Sequence, residues 1–178
     1  NDVWGVSDKD VLLEANKIFR EKNKPFFAMI QTAGNHRPYT IPKQDTDFEL
    51  KHFSDAELKA NGFIGDDEFN SFRYMDYSIG KFIAAAKQEK YFDNTVFVFL
   101  GDHGITGNAG NHMPRAWSDL RLTTGHTPLL IYAPKYLQAA RHDMPAQQVD
   151  VMPTLASLLN FPYVNKSMGR DLLDPRFD

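Results

Sequence analysis

Asp102 and His103 lie in the turn Gly101-Asp102-His103-Gly104, directly after an apolar run over 95–100. A carboxylate beside an imidazole is a donor pair for Zn²⁺ or Mn²⁺. Adjacent side chains of a regular strand point to opposite faces. The pair can therefore share one ion only where the strand has ended, and the flanking glycines allow a sharp turn there. The same residues also fit a plainer reading, an Asp and a His hydrogen-bonded within a glycine loop. His36 sits in a polar loop over 31–39 that follows another apolar run, 26–30. His126 stands just ahead of a third apolar run, 129–132, before its strand rather than after it. Taken singly, His36 fits a solvent-exposed loop histidine and His126 one pinned by hydrogen bonds at a strand entry. His112, in a loop rich in Gly and Asn over 107–112, reads as a surface residue on a loop of the kind that moves or closes over a site.

The elements that must position these residues are readable from the spacing of apolar positions. The run 95–100 is apolar on both faces, as in a strand buried within a parallel sheet. Its carboxyl end is where open α/β sheets bind ligands. Ser7 or Asp8 caps a helix over 9–21 with Val11, Leu12, Ala15, Ile18 and Phe19 on one face. Asn23-Lys24-Pro25 stops it, and 26–30 reads as a strand. Residues 40–67 form a surface excursion with one short helix near 55–60, and His52 there is exposed without a partner in view. A long helix over 69–90 buries Phe72, Met75, Ile79, Phe82 and Ile83. Pro134 closes the strand at 129–132. A late helix over 149–159 takes Asp150 as its cap, Pro153 in its first turn and Asn160 at its end. Helix followed by strand, twice over, predicts the α/β class with a mainly parallel sheet flanked by helices.

Composition narrows the function. The chain has 178 residues, enough for one domain with a full core. A net charge of -3 gives no field for a polyanion, which excludes nucleic acid as the expected partner. The absence of cysteine excludes disulfides and thiolate metal sites. No apolar run approaches the length of a membrane span. The sequence begins at Asn1 rather than Met, so a piece of something longer is expected.

Several segments together resemble the C-terminal part of the sulfatase-like catalytic domain of the alkaline phosphatase superfamily. They are Gly34-Asn35-His36-Arg37-Pro38-Tyr39, the helix with Tyr74, Asp76 and Gly80, and Val98-Phe99-Leu100-Gly101-Asp102-His103-Gly104. His126-Thr127-Pro128-Leu129-Leu130-Ile131-Tyr132, Gln148-Val149-Asp150-Val151-Met152-Pro153-Thr154-Leu155 and Gly169-Arg170-Asp171-Leu172 complete the set. The opening Trp4-Gly5-Val6-Ser7-Asp8 and the Asn35-His36-x-Pro38-Tyr39 form look most like the lipoteichoic acid synthase and phosphoglycerol transferase branch.

The resemblance implies roles residue by residue. Asp102 and His103 match the metal-ligand pair, with Mn²⁺ the first expectation and Zn²⁺ or Mg²⁺ the alternatives. His36 matches a histidine that contacts the substrate phosphate. His126 matches a metal ligand of two-metal members. Those members carry an acid four residues before the equivalent of His36, where this chain has Thr32. His36 and His126 are therefore expected to face phosphate, a second ion held by them being the alternative, with Arg37 as a further anion contact. The nucleophile of the family, a Thr, Ser or modified Cys, belongs to an earlier motif that no Ser or Thr here matches. No catalytic nucleophile is expected in this chain, and the missing N-terminal half of the same domain is the expected partner.

The implied activity is transfer of a phosphoglycerol head group from an anionic phospholipid such as phosphatidylglycerol, through a covalent Thr intermediate, to a glycan or polymer acceptor. It would take place at the extracytoplasmic face of a bacterial membrane or in the periplasm, with the membrane anchor elsewhere in the parent protein. Two alternatives stand beside it. One is a sulfatase or phosphodiesterase acting on soluble esters. It is disfavoured because true sulfatases usually place a lysine after the Asp-His turn, and none lies between Gly104 and His126. The other is a non-catalytic domain that binds anionic lipid or glycan.

Overall fold

Ser7 opens the first helix, α1 (Asp8–Arg20), by accepting a hydrogen bond from the Asp10 amide at 3.2 Å. Acids in its first turn and Lys17 and Arg20 in its last suit the helix dipole. The computed structural model of the protein describes residues 5–177. Trp4, the first residue of the opening motif, lies outside the described residues. The chain divides into two units, Asn1–Leu137 and Gln138–Asp178.

In the first unit, α2 (Asp55–Ala60) forms where the short helix is expected, because Ser54 and Glu57 cap it reciprocally. The long helix α3 (Asp66–Ala86) starts and stops earlier than its apolar pattern suggests. Asp66, Asp67 and Glu68 favour the early start at the positive end of the helix dipole. Its buried stripe is also shifted. Ser71, Tyr74, Ser78, Phe82 and Ala86 are buried, whereas Phe72 is 39% exposed. Small residues allow a neighbour to approach closely, and the Ser78 hydroxyl is satisfied within the helix by donating to the Tyr74 carbonyl at 2.6 Å. α1 and α3 pack on each other. Leu12, Phe82, Ala86, Phe92 and Phe97 form the core between them and the sheet.

Strand β1 (Phe97–Leu100) pairs with β2 (Leu129–Tyr132), with Phe97 opposite Tyr132 and Leu100 opposite Leu129. The α/β class holds, but this ladder is antiparallel, so the expected parallel pairing is not formed among the described residues. Nor is β1 buried on both faces, since Leu100 is 45% exposed. The strand expected over 26–30 is not formed among the described residues, because no neighbouring strand pairs with this run. Two elements absent from the sequence reading, α4 (Arg115–Asp119) and a 3₁₀ turn over Leu122–Gly125, lie between β1 and β2.

In the second unit, a 3₁₀ turn over Gln148–Asp150 leads into α5 (Val151–Leu158). Asp150 is buried, and its carboxylate accepts from the Gln147 and Arg170 amides at 2.8 Å each. Its role there is structural, as expected.

Candidate active site

The antiparallel ladder decides which sequence-distant residues meet. It sets the exit of β1 beside the entry of β2. Beyond Leu100 and Leu129 the contact continues: the Gly101 amide donates to the Pro128 carbonyl at 3.2 Å, and the Gly104 amide donates to the Thr124 carbonyl at 2.9 Å. A Cβ on Gly104 would collide with the carbonyl oxygen of Thr123 and press on that of His126. Asp102, His103 and His126 thus gather at one end of the ladder, although His126 precedes its strand and His103 follows its own.

Asp102 accepts from the His103 amide at 2.8 Å. His103 Nδ1 lies 2.8 Å from the Gly104 carbonyl. A carbonyl only accepts, so Nδ1 carries the proton and the lone pair of the neutral ring is on Nε2. That nitrogen stands 3.9 Å from Asp102 Oδ2, and both side chains are largely exposed. Donors so spaced can reach one ion, at about 2.0–2.2 Å each. Among the described residues no group of three or more His, Asp or Glu side chains is gathered to hold a metal. The pair by itself offers two donors, fewer than the four of a tetrahedral metal site. The His126 ring meets Trp117 of α4 edge-on, with centroids 5.1 Å apart.

His36 and Arg37 stand on a separate loop built on α1 and α3. The Asp8 carboxylate, only 3% exposed, accepts from the amides of Ala33 at 3.0 Å and Gly34 at 3.1 Å. From α3, Ser71 Oγ donates to the Gly34 carbonyl at 2.9 Å, and buried Glu68 accepts the Tyr39 hydroxyl at 2.9 Å. Burial, then that contact with Glu68, raises the Tyr39 phenol above its usual pKa. His36 Nδ1 donates to the Arg37 carbonyl at 2.8 Å, which fixes the tautomer of the neutral ring. Sequence reasoning missed Asp8, Glu68 and Ser71 as anchors of this loop, and Trp117 beside His126. Asp8 carried a signal only as a helix cap.

One expectation needs correcting, and His112 is exposed as expected. His52 is exposed but has a partner, Asp66, at 2.8 Å. The Gly- and Asn-rich loop is docked on the end of α2. The Asn111 amide donates to the Ala60 carbonyl at 3.0 Å, and His112 Nε2 meets Asn61 Oδ1 at 3.0 Å. Gly110, at φ +59°, lies so close to Ala60 that a side chain would not fit.

Residues 1–161 match the family model described as Sulfatase. The chain belongs to the sulfatase family. It is 29% identical over 177 residues to lipoteichoic acid synthase 2 of Bacillus subtilis, covering 96% of this chain and 26% of that protein. It is also 29% identical over 179 residues to lipoteichoic acid synthase of Staphylococcus aureus, covering 94% of this chain and 26% of that one. The chain thus spans about a quarter of the length of these curated relatives. A solved structure of a protein in the alkaline phosphatase superfamily from Vibrio parahaemolyticus superposes with a TM-score of 0.72 at 30% identity, covering 98% of this chain and 38% of that one. The family is one of enzymes, and members of the superfamily typically depend on divalent metal ions. Among the described residues no helix is long and apolar enough to cross a membrane.

Proposed function

We propose that this chain is the carboxyl-terminal part of one sulfatase-like catalytic domain of a longer protein, a phosphoglycerol transferase acting on anionic phospholipids of the phosphatidylglycerol type. The observation that carries this reading is the gathering of Asp102, His103 and His126 at the exit of β1, in a chain most of whose length matches lipoteichoic acid synthases. Asp102 and His103 are the proposed metal donors, with Mn²⁺ preferred and Zn²⁺ or Mg²⁺ as alternatives. A bound divalent ion would supply positive charge to phosphoryl oxygens and favour ionisation of a nearby hydroxyl.

The chain's own residues then divide the remaining work. The His103 ring is held by Gly104 with its Nε2 lone pair available to the ion. His36, fixed by the Asp8 and Ser71 anchors, contacts the substrate phosphate, and Arg37 adds positive charge there. His126, steadied against Trp117, faces the same phosphate or protonates a leaving oxygen. The nucleophile, a threonine, comes from the other part of the domain. Its alkoxide attacks phosphorus, the bond to the diacylglycerol oxygen breaks, and that oxygen takes up a proton. A glycan or polymer hydroxyl then receives the glycerophosphoryl group. The site would lie outside the cytoplasmic membrane, reached through an anchor elsewhere in the parent.

The test uses the longer protein, labelled phosphatidylglycerol and Mn²⁺, and follows diacylglycerol release. Release that needs metal and disappears in Asp102→Ala supports the reading. Cleavage of aryl sulfates or soluble phosphodiesters alone makes the protein a hydrolase. Lipid binding without any turnover makes it a binding domain.

A further inference from the structure

Tyr39 has a left-handed backbone, at φ +62°, which bulky residues rarely adopt. What that strained position delivers is a hydroxyl placed between two charged side chains. On one side stands Glu68, in the first turn of α3 and only 2% exposed. One of its carboxylate oxygens accepts the Tyr39 hydroxyl at 2.9 Å, and the other accepts the Ile64 amide at 2.8 Å. On the other side stands Arg37, whose side chain hydrogen-bonds the same hydroxyl. A carboxylate only accepts and a guanidinium only donates, which sets the direction of the chain. Tyr39 gives its proton to Glu68 and accepts an N–H of Arg37 on a lone pair. An anchor for the loop would be complete at Glu68, where the phenol proton has its acceptor. Arg37 is exposed and adds nothing to the burial of the loop. What its contact with Tyr39 supplies is direction.

We propose that Tyr39 is a positioning residue whose hydroxyl, held by Glu68, aims the Arg37 guanidinium at the phosphate group that His36 meets. The proposal rests on the reading of His36 and Arg37 as anion contacts of a phosphoglycerol transferase. The two residues are adjacent, and the Arg37 carbonyl already holds the His36 ring at 2.8 Å. The backbone of Arg37 thus orients the imidazole, while its own side chain is oriented by Tyr39. An unheld arginine loses rotamer freedom when it clamps an anion, and one already held has lost part of it beforehand. A guanidinium carries more N–H donors than one phenol oxygen can accept, so Arg37 bonded to Tyr39 can still donate to phosphate oxygens.

Tyr39→Phe in the longer protein tests this, because it removes the hydroxyl and keeps the ring. The Kd for glycerol phosphate, measured by titration calorimetry with Mn²⁺ present, is expected to rise roughly three- to tenfold, the cost of ordering one arginine side chain. In an Arg37→Ala background the same substitution is expected to leave Kd unchanged, since no guanidinium remains to be aimed. An equal rise in both backgrounds makes Tyr39 an anchor of the loop alone and overturns the proposal. A Kd unaltered by Tyr39→Phe or by Arg37→Ala overturns it too, as does a parent protein that binds no glycerol phosphate. Turnover is read separately. A protein that shows this coupling yet releases no diacylglycerol loses the transferase reading and keeps the role of Tyr39. One that releases diacylglycerol without the coupling keeps the transferase reading and loses that role.

Discussion

Replacing Asp8 by alanine should loosen the loop that carries His36 without touching His36 itself. The Asp8 carboxylate is almost fully buried and accepts two backbone donors, Ala33 at 3.0 Å and Gly34 at 3.1 Å. Hydrogen bonds to a charged group contribute about 1.5–3 kcal/mol each, and part of that is recovered if the freed amides reach water. A carboxylate in the first turn of α1 adds about 0.3–1 kcal/mol through the helix dipole. The expected loss is therefore about 2–4 kcal/mol, or roughly 5–10 °C in Tm for a chain of this size. Thermal and denaturant unfolding measure the loss, and hydrogen exchange at residues 33–36 shows where it falls. Ser7→Ala is the control. It removes the cap of α1, costing about 1 kcal/mol, but should leave exchange at 33–36 unchanged. Asp8→Asn keeps one acceptor oxygen and should fall between. An Asp8→Ala protein within about 1 °C of the parent Tm, with unaltered exchange at 33–36, would refute the anchoring argument.

The other predictions concern the ladder end, the metal pair and the core. Gly104→Ala drives a methyl into the Thr123 carbonyl, so it should separate the Asp102-His103 turn from the His126 segment. Diacylglycerol release by the longer protein should then fall sharply, with a stability cost of about 1–3 kcal/mol. Asp102→Ala should abolish Mn²⁺ binding, followed by titration calorimetry, yet change stability by less than about 0.5 kcal/mol because the side chain is mostly solvated. Tyr91 has its phenol pushed up to about 12, first by burial and then by Glu89, so the folded state favours the neutral form. That contribution is intact below the ordinary tyrosine pKa near 10 and is lost as pH rises through about 12. Ultraviolet titration should show Tyr91 ionising late, and Tyr91→Phe should flatten the alkaline limb of the stability profile.

Much of this protein is determined by the sequence acting over short range. Ser7 and Ser54 set the starts of α1 and α2 through bonds to amides three residues on, so both helices form close to where their residues predict them. The Asp-His turn and the His36 and His126 segments were legible for the same reason, since each is a run of neighbouring residues with a family-like pattern. Long-range contacts decided the rest. The direction of a β-ladder depends on which distant strand arrives at an edge, and here antiparallel pairing sets the His126 segment beside the Asp102-His103 turn. The buried face of α3 is chosen by close packing of serines, whose hydroxyls are satisfied within the fold and so escape a hydropathy pattern. Asp8 reads as one more helix-capping acid until the fold lays Ala33 and Gly34 across it, because a carboxylate's partner 25 residues away leaves no trace in local spacing.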